Sequence, residues 1–236
     1  IIIDGTTRTY LFDKDSNNAC TLGASSTHRD IIMCFHGKWS VPERACRAFC
    51  TPYADQLGAR AVCLDGTNAN GASGWNTGDD VYVNENDSNG QLEWWRTTEL
   101  QDRDDVSFVQ GLQSALQNAG FVNFYAMGFS MGGGMVYRLA CETPDLFHGF
   151  VIWSQAGPAG GSSANTAGTG NDTDWWNNGC AISSHTRNIW VGIDACDNNQ
   201  FWNPISVETG WRGFTTTVSE LNQASSCTET GSTIVQ

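Results

Sequence analysis

The residues with the clearest chemical potential surround Ser130, in the stretch FYAMGFSMGGGMVYRLAC at 124–141. Gly128-Phe-Ser130-Met-Gly132 matches the pattern G-x-S-x-G. An apolar run precedes it and a helix-like run follows it, which predicts a serine at the apex of a sharp strand-to-helix turn. Such a turn leaves little room for side chains two positions before and after the apex, where this chain has glycine. The pattern predicts that Ser130 is a nucleophile, and the alternative is a glycine-rich turn without chemistry.

A serine that attacks a carbonyl also needs hydrogen-bond donors for the negative oxygen that develops. We expect one donor to be the backbone N–H of Met131, the residue after the nucleophile. The other should come from the loop after the apolar run IIMCF at 31–35, near Lys38 or Trp39. In this interpretation His36, at the start of that loop, is structural and not a base. The alternative is a simple turn at the end of a strand.

An acid that orients a catalytic histidine should follow a later strand, because the chain order in such sites is Ser, then Asp or Glu, then His. The stretch VGIDACDNNQF offers two candidates. Asp194 directly follows the predicted strand, and Asp197 lies a short turn beyond it. We expect Asp197 to be the acid, and at least one of the two to be merely solvated or capping.

The histidines of the chain are poor candidates for the general base. They are His28, His36, His148 and His185. In this arrangement the base is expected on a loop after the final strand, and the final predicted strand only begins at 232–236. We therefore expect the chain to be cut short, with the catalytic histidine about 15 to 40 residues beyond Gln236. His185 is the alternative within the chain.

Strand-like and helix-like patterns alternate along the sequence. The predicted strands are 7–12, 30–35, 60–64, 121–128, 147–154 and 187–193, and the predicted helices are 42–57, 104–120, 131–141 and about 211–221. This alternation predicts a single α/β domain over residues 1–236, with a mostly parallel sheet covered by helices on both faces. Ligands of such sheets bind beyond the carboxyl ends of the strands. Three predicted strand ends carry reactive residues there: His36, Ser130 and the segment 194–197.

The charge and the apolar patterning exclude several partners. The formal net charge is −13, which argues against binding to nucleic acid or to anionic membranes. No run approaches the ~18 apolar residues of a membrane span.

Cysteine usage indicates disulfides. The chain has nine cysteines: Cys20, Cys34, Cys46, Cys50, Cys63, Cys141, Cys180, Cys196 and Cys227. None lies in a C-x-x-C pair and histidines are scattered, so we expect no zinc or other metal. The composition favours an oxidising, extracellular compartment. Cys46 and Cys50 lie one helical turn apart, and we expect each to have its own disulfide partner.

Two acidic residues and two tryptophan pairs could have either a functional or a purely structural role. Asp104 and Asp105 could form a carboxylate pair, but they open a predicted helix, where acids interact favourably with the helix dipole. The pairs Trp94-Trp95 and Trp175-Trp176 could stack on rings of a ligand or pack under loops.

Several motifs together resemble a known family. They are DGTTRTYLF near the start, FHG at 35–37, LDG at 64–66, GWN at 74–76, DDVSFV at 104–109, GFSMGGGMVYRLAC at 128–141 and PDLFHGF at 144–150. In this order they resemble the secreted α/β-hydrolase esterases that include feruloyl esterases and extracellular polyhydroxybutyrate depolymerases. The resemblance implies an α/β-hydrolase fold and hydrolysis of a small-molecule or polymeric carboxylic ester through an acyl-serine, without a cofactor. Feruloyl-type substrates are slightly favoured over polyesters. The rival readings are a non-catalytic binding protein and a serine peptidase on the same fold.

Overall fold

A computed structural model describes residues 1–3, 5–12, 29–69, 72–77, 84–86, 92–94, 103–153 and 188–192. A six-stranded sheet lies at its centre, and short two-stranded hairpins flank it. The strands are β1 (Ile2–Ile3), β2 (Thr6–Thr7), β3 (Tyr10–Phe12), β4 (Asp30–Phe35), β5 (Arg60–Leu64), β6 (Thr67–Ala69), β7 (Ala72–Gly74), β8 (Asn84–Asn86), β9 (Leu92–Trp94), β10 (Asn123–Phe129), β11 (Gly149–Trp153) and β12 (Asn188–Gly192).

The central sheet has the strand order β12-β11-β10-β4-β5-β3. Neighbouring strands are parallel throughout, except that β3 runs antiparallel to β5. Strands β4 and β5 are buried along almost their whole length, as expected for apolar runs in a parallel sheet covered on both sides. Because the parallel strands end at the same edge, the turns after β4, β10 and β11 lie side by side.

Helices cover both faces of the sheet. They are α1 (Pro42–Ala45), α2 (Thr51–Leu57), α3 (Asp105–Asn118) and α4 (Met131–Glu142), with a π-helical turn at Cys46–Cys50 and a 3₁₀ turn at Pro144–Leu146. Among the described helices, none combines the length and the apolar character needed to cross a bilayer.

The alternation of side chains along β4 assigns the two faces. Met33 and Phe35 pack with Leu112 of α3 and Met135 of α4 in the larger apolar cluster. Ile32 and Cys34 point the other way and pack with Cys50 of the π-helical turn and Ala54 of α2. The sheet is therefore the middle layer of three, as the alternating sequence pattern predicts.

Two disulfides link the π-helical turn to the central sheet. Cys34 of β4 is bonded to Cys50, and Cys63 of β5 is bonded to Cys46. The wide π-helical turn places its two cysteines opposite two neighbouring strands, so each finds a separate partner. The expectation of separate disulfides for Cys46 and Cys50 is confirmed. Cys141 is disulfide-bonded as well.

The structure matches the predicted elements closely in the parallel core and less closely elsewhere. Predicted strands 30–35 and 60–64 coincide with β4 and β5. The predicted first strand, 7–12, is instead split between β2 and β3, which belong to different sheets. Between β5 and α3, for which no strand was predicted, the described residues form two antiparallel strand pairs, β6–β7 and β8–β9. The predicted helix near 211–221 and the predicted strand at 232–236 lie outside the described residues.

Candidate active site

Ser130 lies at a sharp turn between β10 and α4. Its backbone has φ 54° and ψ −124°, a conformation that residues other than glycine rarely adopt. Its N–H donates to the carbonyl of Trp153 at 2.9 Å, and its own carbonyl accepts from the N–H of Gly134 at 3.1 Å. The turn is thus fixed on one side to the end of β11 and on the other to the first turn of α4. The half-buried serine stands at the carboxyl edge of the sheet.

The glycines around Ser130 are required by close backbone contacts. A Cβ at Gly128 would collide with the carbonyl of Gly132, and a Cβ at Gly132 would collide with the carbonyl of Phe35. The turn can therefore close only with glycine two positions before and two positions after the serine. This is the nucleophile-elbow geometry that the G-x-S-x-G spacing predicts.

The loop after β4 lies directly against the elbow. A Cβ at Gly37 would lie 3.3 Å from the Cβ of Ser130 and 3.3 Å from the ring of Phe129. The backbone that follows Gly37 is therefore close to the serine, where a second oxyanion donor is expected. Across the turn, the first N–H groups of α4, beginning with Met131, face the same edge. N–H groups at a helix start have no acceptor within the helix, and the helix dipole favours negative charge there.

The sequence offers two backbone N–H groups in this loop as the second donor, those of Lys38 and Trp39. The N–H of Trp39 donates to the carbonyl of Ser73 at 2.8 Å. Trp39 also has φ 58°, and in the described part of the chain only it and Ser130 have positive φ without being glycine. That the second donor is the backbone N–H of Lys38 stays a prediction; the ammonium of Lys38 lies 4.5 Å from the centre of the Trp39 ring.

His36 is buried and both of its ring nitrogens have partners. The N–H of Gly66 donates to Nε2 at 2.9 Å, so Nε2 is the acceptor and Nδ1 carries the proton. Nδ1 then donates to the carbonyl of Gly37 at 2.8 Å. Burial lowers the pKa of His36 and keeps the ring neutral. His36 therefore fastens the loop and cannot serve Ser130 as a base, in line with the structural role expected from the sequence.

His148 lies at the opposite edge of the sheet. It precedes the first residue of β11, which pairs with Tyr125 in β10, whereas Ser130 follows the last residue of β10. Its Nδ1 accepts from the N–H of Phe124 at 3.3 Å. Five residues of strand separate the two edges, about 16 Å. His148 is therefore too far away to take the serine proton.

The strand before the predicted acid ends beside the elbow. Gly192, the last residue of β12, pairs with Trp153, whose carbonyl accepts from Ser130. The chain thus leaves β12 at the edge where Ser130 stands. The candidate acids and the two remaining histidines lie outside the described residues: Asp194, Asp197, His28 and His185.

Asp104 and Asp105 open α3, but they have different surroundings. Asp104 caps the helix by accepting from the N–H of Ser107 at 2.8 Å, and the hydroxyl and N–H of Ser107 lower its pKa. Asp105 is fully buried beside Arg8, with 2.5 Å between Oδ1 and Nη2. Burial raises the pKa of Asp105, while the charge of Arg8 and the N–H of Asn76 oppose the shift. Neither carboxylate contacts the elbow, so the structural reading of both is supported.

Sequence reasoning did not single out the residues that hold the loop after β4. Besides accepting from Trp39, Ser73 places its hydroxyl 3.3 Å from Nε2 of His36. The indole N–H of Trp75 donates to the carbonyl of His36 at 2.8 Å. The motif GWN at 74–76 was a signal for this segment, but a motif does not show which loop its side chains contact.

Within the described residues, one group of potential metal ligands has three closely spaced atoms. It consists of the sulfur atoms of Cys34, Cys50 and Cys63. All three are already bonded in disulfides, and they lie under α2 and the π-helical turn, away from the elbow. This cluster therefore offers no thiolate to a metal.

The strand order, the elbow at Ser130 and the helix that follows it define an α/β-hydrolase fold. No protein-family model matches the sequence, and no curated protein matches it. Among solved structures, the chain is similar to a Bacillus cereus carboxylesterase, with 13% identity over 92% of this chain and 94% of that chain, and a TM-score of 0.43.

Two further solved structures are similar over a smaller share of their length. One is Est1E from Butyrivibrio proteoclasticus with ferulic acid bound, with 14% identity over 64% of this chain and 49% of that chain, at a TM-score of 0.41. The other is the protein Atu2452 of unknown function from Agrobacterium tumefaciens, with 16% identity over 56% of this chain and 57% of that chain, at a TM-score of 0.37. The chain thus spans about half the length of each of these two proteins.

Proposed function

We propose that this protein hydrolyses carboxylic esters through an acyl-serine intermediate on Ser130. The observation that carries the proposal is the strained backbone of Ser130, held at the carboxyl edge between β10 and α4. Strain in a residue other than glycine persists only where the surrounding structure enforces it, and such residues concentrate at functional sites. Here close contacts at Gly128 and Gly132 and the bond to Trp153 enforce it.

The proposed reaction has two halves. In the first, Oγ of Ser130 attacks the ester carbonyl carbon while its proton passes to a general base. The carbonyl electron pair moves to oxygen, which the N–H groups of Met131 and Lys38 stabilise. The intermediate collapses, the alkoxide takes the proton from the base and leaves as the alcohol, and an acyl-serine remains. Water then attacks the acyl-serine in the same way and releases the acid. The proposed reaction consumes one water and needs no metal or cofactor.

We assign the orienting acid to Asp197. An acid of this kind holds the catalytic histidine in the required tautomer and stabilises its charged form. The end of β12 supports an acid in this segment, because Gly192 pairs with Trp153 beside the elbow and Asp197 follows it by five residues in the sequence. Of the histidines, His36 and His148 are unsuitable for the geometric reasons given above. The base is therefore sought outside the described residues.

The proposed substrate is a neutral ester with an aromatic or polymeric part, of the feruloyl type. Two exposed aromatic side chains flank the site along the chain. Phe129 directly precedes Ser130 and is 43% exposed, and Trp39 closes the adjoining loop and is 56% exposed. Exposed aromatic rings beside a nucleophile can stack on a planar acyl group. The disulfides and the acidic surface support extracellular action on such a substrate.

The test uses the protein expressed from its complete gene. Wild type, Ser130→Ala and Ser114→Ala are compared for hydrolysis of p-nitrophenyl acetate and for labelling by a fluorophosphonate. Ser114 is the matched control, an exposed serine on α3 whose hydroxyl bonds only within its own helix. We expect mass spectrometry to place the phosphonate on Ser130. Ser130→Ala should neither hydrolyse the ester nor react with the phosphonate, and Ser114→Ala should do both like wild type.

Each other outcome identifies a rival. A folded protein that neither hydrolyses the ester nor takes up phosphonate would be a binding protein on a hydrolase fold. Labelling at Ser130 with turnover of peptides but not of esters would indicate a peptidase. Full esterase activity in Ser130→Ala would refute the acyl-serine mechanism.

A further inference from the structure

The loop after β4, residues 36–39, is expected to carry an oxyanion donor. Hydrogen bonds from the short segment 73–76 hold this loop in place. Three hydrogen bonds join them. The N–H of Trp39 donates to the carbonyl of Ser73 at 2.8 Å, the hydroxyl of Ser73 lies 3.3 Å from Nε2 of His36, and the indole N–H of Trp75 donates to the carbonyl of His36 at 2.8 Å. These contacts hold the loop at its start and at its end, on either side of Lys38.

The loop requires such support because Trp39 has a left-handed backbone. Its φ is 58°, a conformation that is unfavourable for a bulky residue and persists only where the surrounding structure enforces it. The bond from Trp39 to Ser73 stabilises this conformation directly. Since the peptide between Lys38 and Trp39 is turned toward Ser73, this bond also fixes the direction of the backbone at Lys38.

Asn76, at the far end of the segment, takes part in three hydrogen bonds to other elements. Its backbone N–H donates to Oδ2 of Asp105 at 2.6 Å, and its side-chain Nδ2 donates to the carbonyl of Arg103 at 3.0 Å. Its carbonyl accepts from Nη1 of Arg138 at 2.9 Å. Arg138 belongs to α4, the helix that begins at the elbow. The segment is thus tied both to the start of α3 and to the helix behind the nucleophile.

Asp105 is the most deeply buried of the residues that hydrogen-bond to Asn76. Its side chain is 0% exposed, and the guanidinium beside it, that of Arg8, is 5% exposed and lies 4.4 Å from the centre of the Phe108 ring. Removing two charges from water is costly, and helix capping does not explain the pair, because Asp104 already caps α3. A buried, oriented carboxylate does give the N–H of Asn76 a charged and immobile acceptor.

We propose that Asp105 is a positioning residue for the loop at 36–39 that carries Lys38. It acts through its hydrogen bond to Asn76 and through the segment 73–76. The path runs from the Asp105 carboxylate to Asn76, along the backbone to Ser73 and Trp75, and from there to the loop that carries Lys38. Asp105 contacts neither the substrate nor Ser130. This inference rests on the proposed function, because it concerns the donor for the developing oxyanion.

The main variant is Asp105→Asn, which keeps the shape and an acceptor oxygen but loses the charge. We expect kcat per phosphonate-titrated site to fall about 10- to 100-fold with little change in KM, a part of the roughly 10²–10³ that a whole oxyanion donor contributes. The affinity for a trifluoromethyl ketone, which adds to the serine and leaves a negative oxygen, should fall by a similar factor. A merely structural role would lower the titrated fraction of active protein and leave kcat per site unchanged.

Asp104→Asn is the matched control. It is the neighbouring acid at the same helix start, its carboxylate bonds to Ser107, and it makes none of the bonds to Asn76. We expect it to reduce stability and to leave kcat per site unchanged. Because Asp105→Asn leaves Arg8 without a charged partner and could prevent folding, Ser73→Ala is the second variant. It removes only the hydroxyl near His36, and we expect a several-fold loss of kcat with KM unchanged.

Hydrogen exchange separates this inference from the proposed function. The N–H of Trp39 should exchange at least tenfold faster in Asp105→Asn than in wild type, and by a smaller factor in Ser73→Ala, which keeps the carbonyl acceptor, while that of Val62 in the buried strand β5 should not change. This readout needs no turnover. If wild type fails to label at Ser130, the proposed function fails whatever the exchange shows. If Trp39 exchange and kcat per site in the folded variants equal those of wild type, the positioning role is refuted even though the enzyme is an esterase.

Discussion

Gly132 packs so closely against Phe35 that a Cβ on the glycine would overlap the phenylalanine's carbonyl oxygen. Phe35 is the last residue of β4, and Gly132 is the second residue of α4. The helix that begins at Ser130 therefore touches the backbone of the neighbouring strand just before the oxyanion loop. This contact sets the distance between the two elements that the proposed chemistry must bring together.

Gly132→Ala should therefore impair both folding and function. The atom that it meets is backbone and cannot swing away, so α4 or β4 must shift, at a cost of about 1–3 kcal/mol in the free energy of unfolding. Urea unfolding measures this loss, and phosphonate labelling of Ser130 should slow at the same time. Gly111→Ala is the control, because it makes the same change in the interior of α3 at a half-buried position. There we expect a gain of up to about 1 kcal/mol. A Gly132→Ala protein as stable as wild type would contradict the close contact.

The stability of the protein should depend on pH through His36. Burial lowers the pKa of His36, so the folded protein keeps the ring neutral while the unfolded chain takes up a proton near the ordinary value of 6.5. The unfolded state then binds more protons, so stability is complete above about pH 6.5 and falls as the pH drops below it. The loss is at most about 1.4 kcal/mol for each pH unit.

His36→Gln supplies the comparison for this dependence. Glutamine carries an acceptor for the N–H of Gly66 and does not titrate. We expect urea unfolding at about pH 7.5 and about pH 5 to show a smaller difference for this variant than for wild type. Every other titratable group is the same in both proteins, so its contribution to the difference cancels. Equal differences in the two proteins would show that the pKa of His36 is not lowered.

The parallel core was predictable because its signals are local. Runs such as DIIMCF and RAVCL are short, apolar and bounded by polar turns, and they coincide with β4 and β5. The elbow was predictable because the glycine spacing directly reflects the contacts at Gly128 and Gly132. The split of the first strand was not predictable, because no local pattern shows that β2 pairs with β1 while β3 joins the central sheet.

The support of the loop was beyond sequence reasoning for a different reason. Ser73 and His36 are 37 positions apart, and the bond between Asn76 and Asp105 spans 29 positions. Serine and asparagine are common in loops, so their residue types do not indicate partners at such distances. Asp105 resembles an ordinary acid at a helix start until its burial beside Arg8 is seen.

His148→Ala should leave ester hydrolysis within about twofold of wild type. The side chain is exposed at the amino edge of the sheet, about 16 Å from the elbow by strand length. The measurement is kcat/KM on p-nitrophenyl acetate, with Ser130→Ala as the inactive reference. A loss of several orders of magnitude would mean that His148 reaches the serine and that this sheet register is wrong.

Asp197→Asn should reduce kcat far more than Asp194→Asn. An acid that orients the base histidine and stabilises its charge is worth orders of magnitude in kcat, whereas a solvated aspartate is worth little. β12 ends at Gly192, and by sequence Asp194 nearly abuts the strand end while Asp197 lies a few residues further on, which is why we expect the later residue to be the acid. Steady-state kinetics of both variants on the same ester decide between them. A greater loss in Asp194→Asn would reverse the assignment.

The aromatic side chains beside the elbow should select the substrate. Phe129 packs against Phe49, with 6.4 Å between ring centres, and still exposes part of its ring next to Ser130. Stacking of an aromatic acyl group contributes about 0.5–1.5 kcal/mol, so Phe129→Ala or Trp39→Ala should lower kcat/KM on methyl ferulate about 2- to 12-fold.

The same variants should change kcat/KM on ethyl acetate much less, because that ester has no ring to stack. Val122→Ala is the control for loss of an exposed apolar side chain, since Val122 is 45% exposed and precedes β10 at the opposite edge. It should affect neither ester. Equal losses on both esters for Trp39→Ala would mean that the ring supports the loop and does not contact substrate. Hydrolysis of polyhydroxybutyrate film with no activity on methyl ferulate would move the preference to polyesters, and cleavage of peptides alone would overturn the esterase class.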